Sequence, residues 1–195
     1  RLKYLRDTIN RANYLYYVED NPTLSDFEYD ELFRELKKLE AEHPLFITLD
    51  SPTQRVGNKI QSTFEEVKHK YRLYSLDNTN NYEELRQWYE RVKKECGQVD
   101  LVCELKIDGL AIALTYKKGL FVQGVTRGNG IYGENITENL KTVKAIPLKI
   151  FKDYDLEVRG EIYMPKTSFE KLNEENLMKG EKIFANPRNA ASGSI

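Results

Sequence analysis

Three charged residues, Glu104, Lys106 and Asp108, alternate with apolar residues in the stretch 101–108. Alternation with a period of two predicts a β-strand, with the three charges on one face and Leu101, Cys103, Leu105 and Ile107 on the other. Charged residues are disfavoured in strands, so the pattern is unusual. It has two interpretations: the solvated face of an edge strand, or a pocket in which the Lys106 amine acts as a nucleophile between two carboxylates.

A lysine amine must lose a proton before it attacks an electrophile, and an unperturbed lysine is almost fully protonated at neutral pH. Carboxylates on either side stabilise the charged ammonium form. Glu104 and Asp108 therefore do not prepare Lys106 for attack by themselves. A divalent cation near the amine would oppose their effect. We expect a metal ion and the substrate, more than neighbouring side chains, to make Lys106 reactive.

The composition is typical of a folded protein with a mixed surface. The 195 residues include 30 Lys+Arg and 31 Asp+Glu, which gives a formal net charge of -1, and 40% are hydrophobic. This charge excludes the bulk basic character of an autonomous nucleic-acid-binding module, although not a local basic patch. Cys96 and Cys103 are too few for a disulfide framework or a four-thiolate zinc site, and we interpret them as reduced thiols, one on a helix and one in a strand. The apolar runs are too short for a membrane span.

Helical periodicity predicts a helical hairpin at the front of the chain. Apolar residues recur at helical spacing from Leu2 to Tyr16, and Asn21-Pro22 ends this first helix. Ser25 followed by Glu28 is a capping box that begins a second helix, which is expected to end before Pro44.

A third helix and a set of strands follow. The helix is expected between Asn81 and Gly97, with its apolar side chains inward: Leu85, Trp88, Tyr89 and Val92. Asp108-Gly109 and Lys117-Lys118-Gly119 are turn signals, which predict consecutive antiparallel strands at 101–107, 110–116 and 120–126. The remaining predicted elements are a short helix at 134–143, a strand at 155–164 and a helix that follows Pro165 and extends through Leu177. Together they predict an α+β fold.

Several motifs carry a resemblance to a known family. Glu104-Leu105-Lys106-Ile107-Asp108-Gly109 matches the Lys-x-Asp-Gly motif of covalent nucleotidyltransferases. Five other motifs resemble, in order, those of bacterial NAD-dependent DNA ligases. They are Asp50-Ser51-Pro52-Thr53-Gln54-Arg55-Val56-Gly57, Ser75-Leu76-Asp77-Asn78, Thr126-Arg127-Gly128-Asn129-Gly130, Leu156-Glu157-Val158-Arg159-Gly160-Glu161 and Asn186-Pro187-Arg188-Asn189-Ala190-Ala191.

The resemblance covers nearly the whole chain and implies two domains. Residues 1–62 would form a helical subdomain that binds nicotinamide mononucleotide (NMN). Residues 63–195 would form the N-terminal portion of an antiparallel-sheet nucleotidyltransferase (adenylation) domain. We expect this domain to be incomplete at its C-terminal end and the chain to be the front portion of a longer ligase.

The resemblance also implies a reaction. In that family the lysine amine, Lys106 here, attacks the α-phosphorus of NAD, so that NMN leaves and a lysyl-AMP intermediate forms. The AMP then passes to the 5′-phosphate of nicked double-stranded DNA, and the adjacent 3′-hydroxyl seals the strand during replication and repair. NAD as AMP donor and Mg²⁺ are the implied cofactors, with no metal ligands assigned. The implied protein is a cytoplasmic monomer without membrane association, which contacts DNA mainly through domains outside this chain; nick sealing by this chain alone is not expected.

Positions on the AMP side of the site match nucleotide-contacting residues of the family. They are Ser75, Leu76, Glu104, Asp108, Arg127 and Glu161. Glu104 matches the residue that recognises the adenine amino group, and the Ser75-Leu76 backbone matches the segment that lines the base. Arg127 and Glu161 match residues that contact ribose and AMP, and Asp108 would order ribose or metal-bound waters. Arg72-Leu73-Tyr74 departs from the Pro-Met-Leu that is usual in the family, which is expected to alter a wall of the adenine pocket.

Positions in the helical hairpin match residues that bind the NMN half of NAD. They are Tyr16, Tyr17, Asp26, Phe27, Glu28, Tyr29 and Asp30. Asp26 and Asp30 would share one helix face, with Tyr29 placed to stack on a cationic ring. The two acids would also complement the helix dipole in the first turn, which is the commoner use of such residues. Tyr17 stands where some family members carry histidine.

Two other functions fit parts of the sequence. Gly128-Asn129-Gly130-Ile131-Tyr132-Gly133 fits the Gly-x-Gly-x-x-Gly fingerprint of a Rossmann-type NAD oxidoreductase, with Glu157 or Glu161 as the acid. That fold needs a parallel βαβ unit, whereas the strands before the glycines are predicted to be antiparallel. The other alternative is a nucleotide-binding module in which Lys106 is never modified.

Overall fold

A computed structural model describes residues 1–17, 19, 21–55 and 64–195, apart from the side chain of Tyr17. The predicted α+β class is confirmed, since two helices precede antiparallel sheets. The helices and strands are α1 (Leu2–Tyr17), α2 (Asp26–Glu42), β1 (Glu66–Lys68), α3 (Tyr82–Cys96), β2 (Leu110–Lys117), β3 (Leu120–Thr126), β4 (Tyr132–Glu134), α4 (Thr137–Lys141), β5 (Leu156–Ile162), α5 (Lys166–Lys179) and α6 (Pro187–Gly193). None of the helices in these ranges is long and apolar enough to cross a membrane.

Helices α1 and α2 pack against each other as the predicted hairpin. Leu5, Ile9 and Leu36 are fully buried between them. The predicted capping box is present: the Glu28 N–H donates to the Ser25 hydroxyl, and the Ser25 N–H donates to the Glu28 carboxylate. The bond from the Ser25 backbone lowers the pKa of Glu28.

A buried carboxylate holds the chain that follows α2. Glu40 is 3% exposed and accepts hydrogen bonds from the hydroxyls of Ser51 (2.7 Å) and Thr53. These bonds hold the 3-10 turn Pro52–Arg55 against α2. A buried carboxylate needs such partners, because it has lost its contacts with water.

Arg55, at the end of that turn, connects the hairpin to the rest of the molecule. Its guanidinium donates to the carbonyls of Lys141 (3.3 Å), Val143 (3.2 Å) and Ile146 (2.9 Å), which lie in and after α4. Burial lowers the pKa of Arg55. The three carbonyls compensate for part of the hydration that the guanidinium loses.

The main sheet has three antiparallel strands in the order β3-β2-β5. In this sheet Ala113 pairs with Val125 of β3 and with Arg159 of β5. The predicted hairpin between β2 and β3 is confirmed, and it closes through Lys118 (φ 47°) and Gly119 (φ 74°). Both residues are left-handed, as the commonest two-residue hairpin turn requires. A second, two-stranded sheet pairs β1 with β4.

The two faces of the main sheet differ. Ile112, Leu114 and Tyr116 of β2 point into the larger hydrophobic core, which also contains Leu140 of α4. The opposite face presents small residues of β2, namely Ala111, Ala113 and Thr115, beside Glu157, Arg159 and Glu161 of β5. Long charged side chains on β5 can therefore reach across this second face.

The predicted strand at 101–107 is wrong, because residues 97–108 form no regular secondary structure. Both edges of β2 are already paired, with β3 and β5, so a hairpin partner before Gly109 has no free edge to join. Cys103 accordingly lies outside any strand, whereas Cys96 ends α3 as predicted, and both are exposed free thiols. Alternation alone does not make a strand when its backbone donors and acceptors lack a partner.

Helix α3 lies where the sequence predicts it, but its apolar side is not buried. Its N-cap is Asn81, whose side chain accepts from the Glu84 N–H, and it ends at Cys96 before Gly97. Leu85 is 44% exposed and Trp88 is 37% exposed, so the inward orientation predicted for them is wrong. Tyr89 and Val92 are half-buried, so none of the four residues predicted to point inward is fully buried.

The later elements follow the prediction with shifted ends. The helix expected at 134–143 is the shorter α4, because Glu134 pairs with Glu66 in β4 and β1. Helix α6 was not predicted. Its sequence signals are the N-cap Asn186, which accepts from the Asn189 N–H, and Pro187 in the first turn.

Candidate nucleotide-binding cleft

A cleft of about 690 Å³ opens at the end of the main sheet where β2 begins and β3 ends. The segment 73–76, the start of β2, the end of β3, part of β5 and helix α6 enclose it. Its lining carries four cations and three carboxylates: Lys106, Arg127, Arg159, Arg188, Asp108, Glu134 and Glu161. Phe64, Leu73, Leu76 and Ile112 contribute apolar surface. Apolar walls with a few convergent charged groups suit a nucleotide, which has a flat base and anionic phosphates.

The backbone beside Lys106 is held by β5. The Gly109 N–H donates to Glu161 Oε1 at 3.1 Å. A Cβ atom at position 109 would lie 2.0 Å from the Ile162 carbonyl oxygen, so a residue with a side chain does not fit at this approach. Glu161 and Gly109 together fix the end of the exposed segment on which Lys106 reaches the cleft.

Arg127 begins the glycine-rich loop between β3 and β4. Its N–H donates to the Ala111 carbonyl at 2.8 Å, and its carbonyl accepts from the Gly130 N–H at 2.9 Å. The His69 ring Nε2 lies 3.2 Å from the same carbonyl. Gly128 has φ 53°, and a Cβ there would lie 2.0 Å from the Tyr132 carbonyl oxygen. This loop is a tight reversal that directs Arg127 to the cleft.

Six of the predicted residues line this one cleft. They are Ser75, Leu76, Lys106, Asp108, Arg127 and Glu161. Glu104 is exposed and is not among the lining residues. The expectation that Glu104 shares a face with Lys106 rested on strand alternation, and the segment is not a strand.

The predicted residues of the hairpin lie apart from the cleft, whose lining comes from residues 64–195. The Tyr29 hydroxyl donates to Asn13 Oδ1 at 3.0 Å, and its ring stacks on Phe33. Glu28 takes part in the helix cap. The remaining hairpin positions are exposed: Tyr16, Asp26, Phe27 and Asp30. The side chain of Tyr17 lies outside the described residues.

Sequence reasoning assigned no role to two arginines of the cleft. Arg188, in α6, lies 3.7 Å from Asp108 through its Nε. Arg159 lies between Glu157 and Glu161 on the same face of β5. The period of two in Leu156–Ile162 was the available signal for Arg159, because it places position 159 on the face of Glu161.

Two family models match the chain. Residues 61–195 match the NAD-dependent DNA ligase adenylation domain, and residues 1–57 match the DNA ligase-like, N-terminal NAD+-binding domain. The chain belongs to the NAD-dependent DNA ligase family. The resemblance drawn from the six motifs is thereby confirmed, and NAD and nicked DNA are the substrates of this ligase family.

The oxidoreductase alternative is not supported. The glycine-rich loop of this ligase joins β3 to β4, and every strand pair within the described residues is antiparallel. A Rossmann site needs a parallel strand pair joined by a helix. The match to ligase domains also gives no support to a module in which nucleotide is only bound.

The cleft has no preformed metal cage. No group of three or more His, Cys, Asp or Glu side chains that could hold a metal ion occurs in the part of the chain that the structure describes. Mg²⁺ commonly keeps several waters and binds through one or two carboxylates together with substrate phosphates. The separate carboxylates of Asp108 and Glu161 at the cleft fit that mode of binding and not an all-protein cage.

Proposed function

We propose that Lys106 is the nucleophile that takes AMP from NAD in this cleft. The observation that supports this role is that Lys106 lines the cleft together with Arg127, Arg188 and the Ser75-Leu76 segment. Lys106 therefore shares one cleft with cations that suit phosphates and with a wall that suits a base. A nucleophile and groups that stabilise charge must meet at one place for covalent phosphoryl transfer.

The reaction exchanges one bond for another at phosphorus. After the ammonium of Lys106 loses a proton to solvent, the nitrogen lone pair attacks the adenylate phosphorus of NAD. A nitrogen–phosphorus bond forms, the bond from that phosphorus to the bridging oxygen breaks, and NMN leaves with the electron pair on its phosphate. We assign to Arg127 and Arg188, which line the same cleft, the stabilisation of the negative charge on the phosphate oxygens.

Asp108 and Glu161 are the carboxylates that we propose for Mg²⁺. When bound, the ion would neutralise phosphate charge and favour departure of NMN. Glu161 has a second task, because one of its oxygens already accepts from the Gly109 N–H.

The remaining predicted contacts complete the proposal. Ser75 and Leu76 line the base, and Glu104 accepts from the adenine amino group, which requires its segment to approach the cleft when NAD binds. The NMN half binds Asp26, Tyr29 and Asp30, which requires the hairpin to approach the cleft. Tyr16, Tyr17, Phe27 and Glu28 are the other hairpin positions of this proposed subsite.

We divide the chain at 62/63, into an NMN-binding subdomain and an adenylation domain. The two family matches support a division in this region, since one ends at residue 57 and the other begins at residue 61. We further propose that the ligase acts as a monomer in the cytoplasm.

The test is a search for one AMP on Lys106. The chain is incubated with NAD and MgCl₂, and its intact mass and proteolytic peptides are measured. We expect one AMP adduct on the peptide that contains Lys106, and added NMN should reverse it. The adduct should be absent from Lys106→Met and present in the control Lys94→Met, on exposed α3. An adduct at another residue, hydride transfer to a substrate, or reversible NAD binding without an adduct would each contradict the proposal.

A further inference from the structure

Arg159 links β5 to a segment that has no regular secondary structure. Its Nη2 donates to the Tyr71 carbonyl at 3.2 Å, and its Nη1 donates to the Arg72 carbonyl at 3.3 Å. Its Nε donates to Glu157 Oε1 at 3.0 Å. All three guanidinium nitrogens therefore have partners, and two of them hold consecutive carbonyls of one segment.

The segment held by Arg159 leads directly into a wall of the cleft. Residues 72–80 form neither helix nor strand, so their position depends on contacts with neighbouring elements. His69 and Leu73 bond through their N–H groups to the carbonyls of Ile131 and Gly130, both at 2.9 Å. Between those two attachments, Arg159 holds the backbone from the side of β5.

Small side chains on β2 leave room for Arg159 to reach the carbonyls of Tyr71 and Arg72. Arg159 pairs with Ala113, so no large side chain beside it fills the space between β5 and the segment. The guanidinium is a planar fork that can bridge two acceptors, whereas an ammonium is a point charge. Lysine at this position could keep the ion pair with Glu157 but could not hold both carbonyls in the same geometry.

We propose that Arg159 is a positioning residue that sets the place of the base-lining wall, Leu73 to Leu76, and thereby the affinity of the ligase for NAD and its selectivity for adenine. The inference rests on the proposed function, in which Ser75 and Leu76 line the base. Arg159 acts through these residues. It is not proposed to contact the reacting phosphorus.

The kinetic test compares Arg159→Lys and Arg159→Met with the unchanged chain. Single-turnover transfer of AMP to Lys106 is measured over a range of NAD concentrations. We expect the half-saturating NAD concentration to rise about tenfold in both variants, since neither side chain can hold both carbonyls as arginine does, and the maximal rate to change less than about threefold. The preference for NAD over nicotinamide hypoxanthine dinucleotide, which lacks the amino group, should decrease.

Two controls separate positioning from a general structural effect. Arg86→Lys and Arg86→Met, on exposed α3, should leave all of these quantities unchanged. Amide hydrogen exchange of the chain without NAD should become faster at residues 71–76 in the Arg159 variants and stay the same at α2. An unchanged half-saturating concentration, or a loss confined to the maximal rate, would overturn the inference.

The outcomes also distinguish this inference from the proposed function. If the unchanged chain binds NAD and places no AMP on Lys106, the proposed nucleophile fails. The dissociation constant of NAD from the same variants then still tests whether Arg159 positions the base-lining wall. If exchange at residues 71–76 does not respond to Arg159→Met, the positioning role fails even when Lys106 is adenylated.

Discussion

The carboxylate of Glu161 connects two of the ligase motifs at a single hydrogen bond. It lies on β5, and its bond to the Gly109 N–H fixes the turn that follows Lys106. The Lys-x-Asp-Gly motif therefore depends on the Glu-Val-Arg-Gly-Glu motif for its position. A nucleophile displaced by about 1 Å can lose a large part of its rate, so this bond matters for the chemistry.

We predict that Glu161→Ala lowers the rate of AMP transfer to Lys106 by about tenfold or more. Glu161→Gln keeps an oxygen that can accept from Gly109 and should retain more activity than Glu161→Ala. Rapid-quench measurement of adduct formation checks whether the rates decrease from the unchanged chain to Glu161→Gln to Glu161→Ala. Glu170→Ala, on exposed α5, is the control. Equal rates for Glu161→Ala and the unchanged chain would contradict this role.

Residues of the site that belong to sequence motifs could be predicted from the sequence. Lys106, Asp108, Arg127 and Glu161 were found because each belongs to a motif, and the structure brings them to one cleft. Glu104 was expected on the same face as Lys106 through a strand that does not form, and it does not line the cleft. Its position depends on pairing with distant parts of the chain, which local alternation does not reveal.

At the scale of elements, local signals predicted structure well and pairing signals did not. The capping box of α2, the cap of α3 and the turn at Lys118-Gly119 involve neighbours in sequence, and all three are present. The failed strand at 101–107 depended on whether an edge of β2 was free. That edge is occupied by β5, which is distant in sequence.

Tyr116 of β2 makes the stability of the main core depend on pH. This residue is 2% exposed, and its hydroxyl donates to the Pro147 carbonyl at 2.9 Å. Burial raises the pKa of Tyr116 to about 12, from the ordinary value of 10.0. Because the folded-state pKa exceeds the unfolded one, the stabilisation is fully present below about pH 10 and is lost as the pH rises through about 12.

We predict that Tyr116→Phe is less stable than the unchanged chain at neutral pH by about 1 kcal/mol, since the Pro147 carbonyl loses its donor. The difference should shrink between about pH 10 and about pH 12, because phenylalanine cannot ionise. Urea unfolding across this range measures it. Tyr74→Phe, at a largely exposed tyrosine, should show no such convergence. A difference that is constant with pH would contradict the prediction.

At the scale of the whole molecule, Arg55 connects the NAD+-binding and adenylation portions of the ligase. It lies just before the end of the first family match, and its three acceptors lie in and after α4, within the second. Glu40 supports it by holding the turn Pro52–Arg55 on α2. The motif that contains Arg55 was recognised in the sequence, but its partners are far away in the chain, so no local pattern indicated this contact.

We predict that Arg55→Met lowers the free energy of unfolding by about 2–4 kcal/mol, since three carbonyls lose a donor from a charged group. The hairpin and residues 64–195 should then unfold at different urea concentrations, as detected by hydrogen exchange at α1 and β2. Gln54→Met changes the adjacent exposed residue and should have little effect. A single unfolding transition with unchanged stability would contradict the prediction.

Lys118 occupies the left-handed region in a hairpin turn, where the Cβ of most residues causes steric strain, whereas asparagine and glycine adopt this conformation more readily. The turn lies on the β2–β3 hairpin, and Lys118 is not among the residues that line the cleft. We therefore predict that Lys118→Asn raises the free energy of unfolding by up to about 1 kcal/mol, without altering the nucleotide chemistry of the ligase. A more heat-resistant background of this kind would let damaging substitutions in the cleft be purified and assayed.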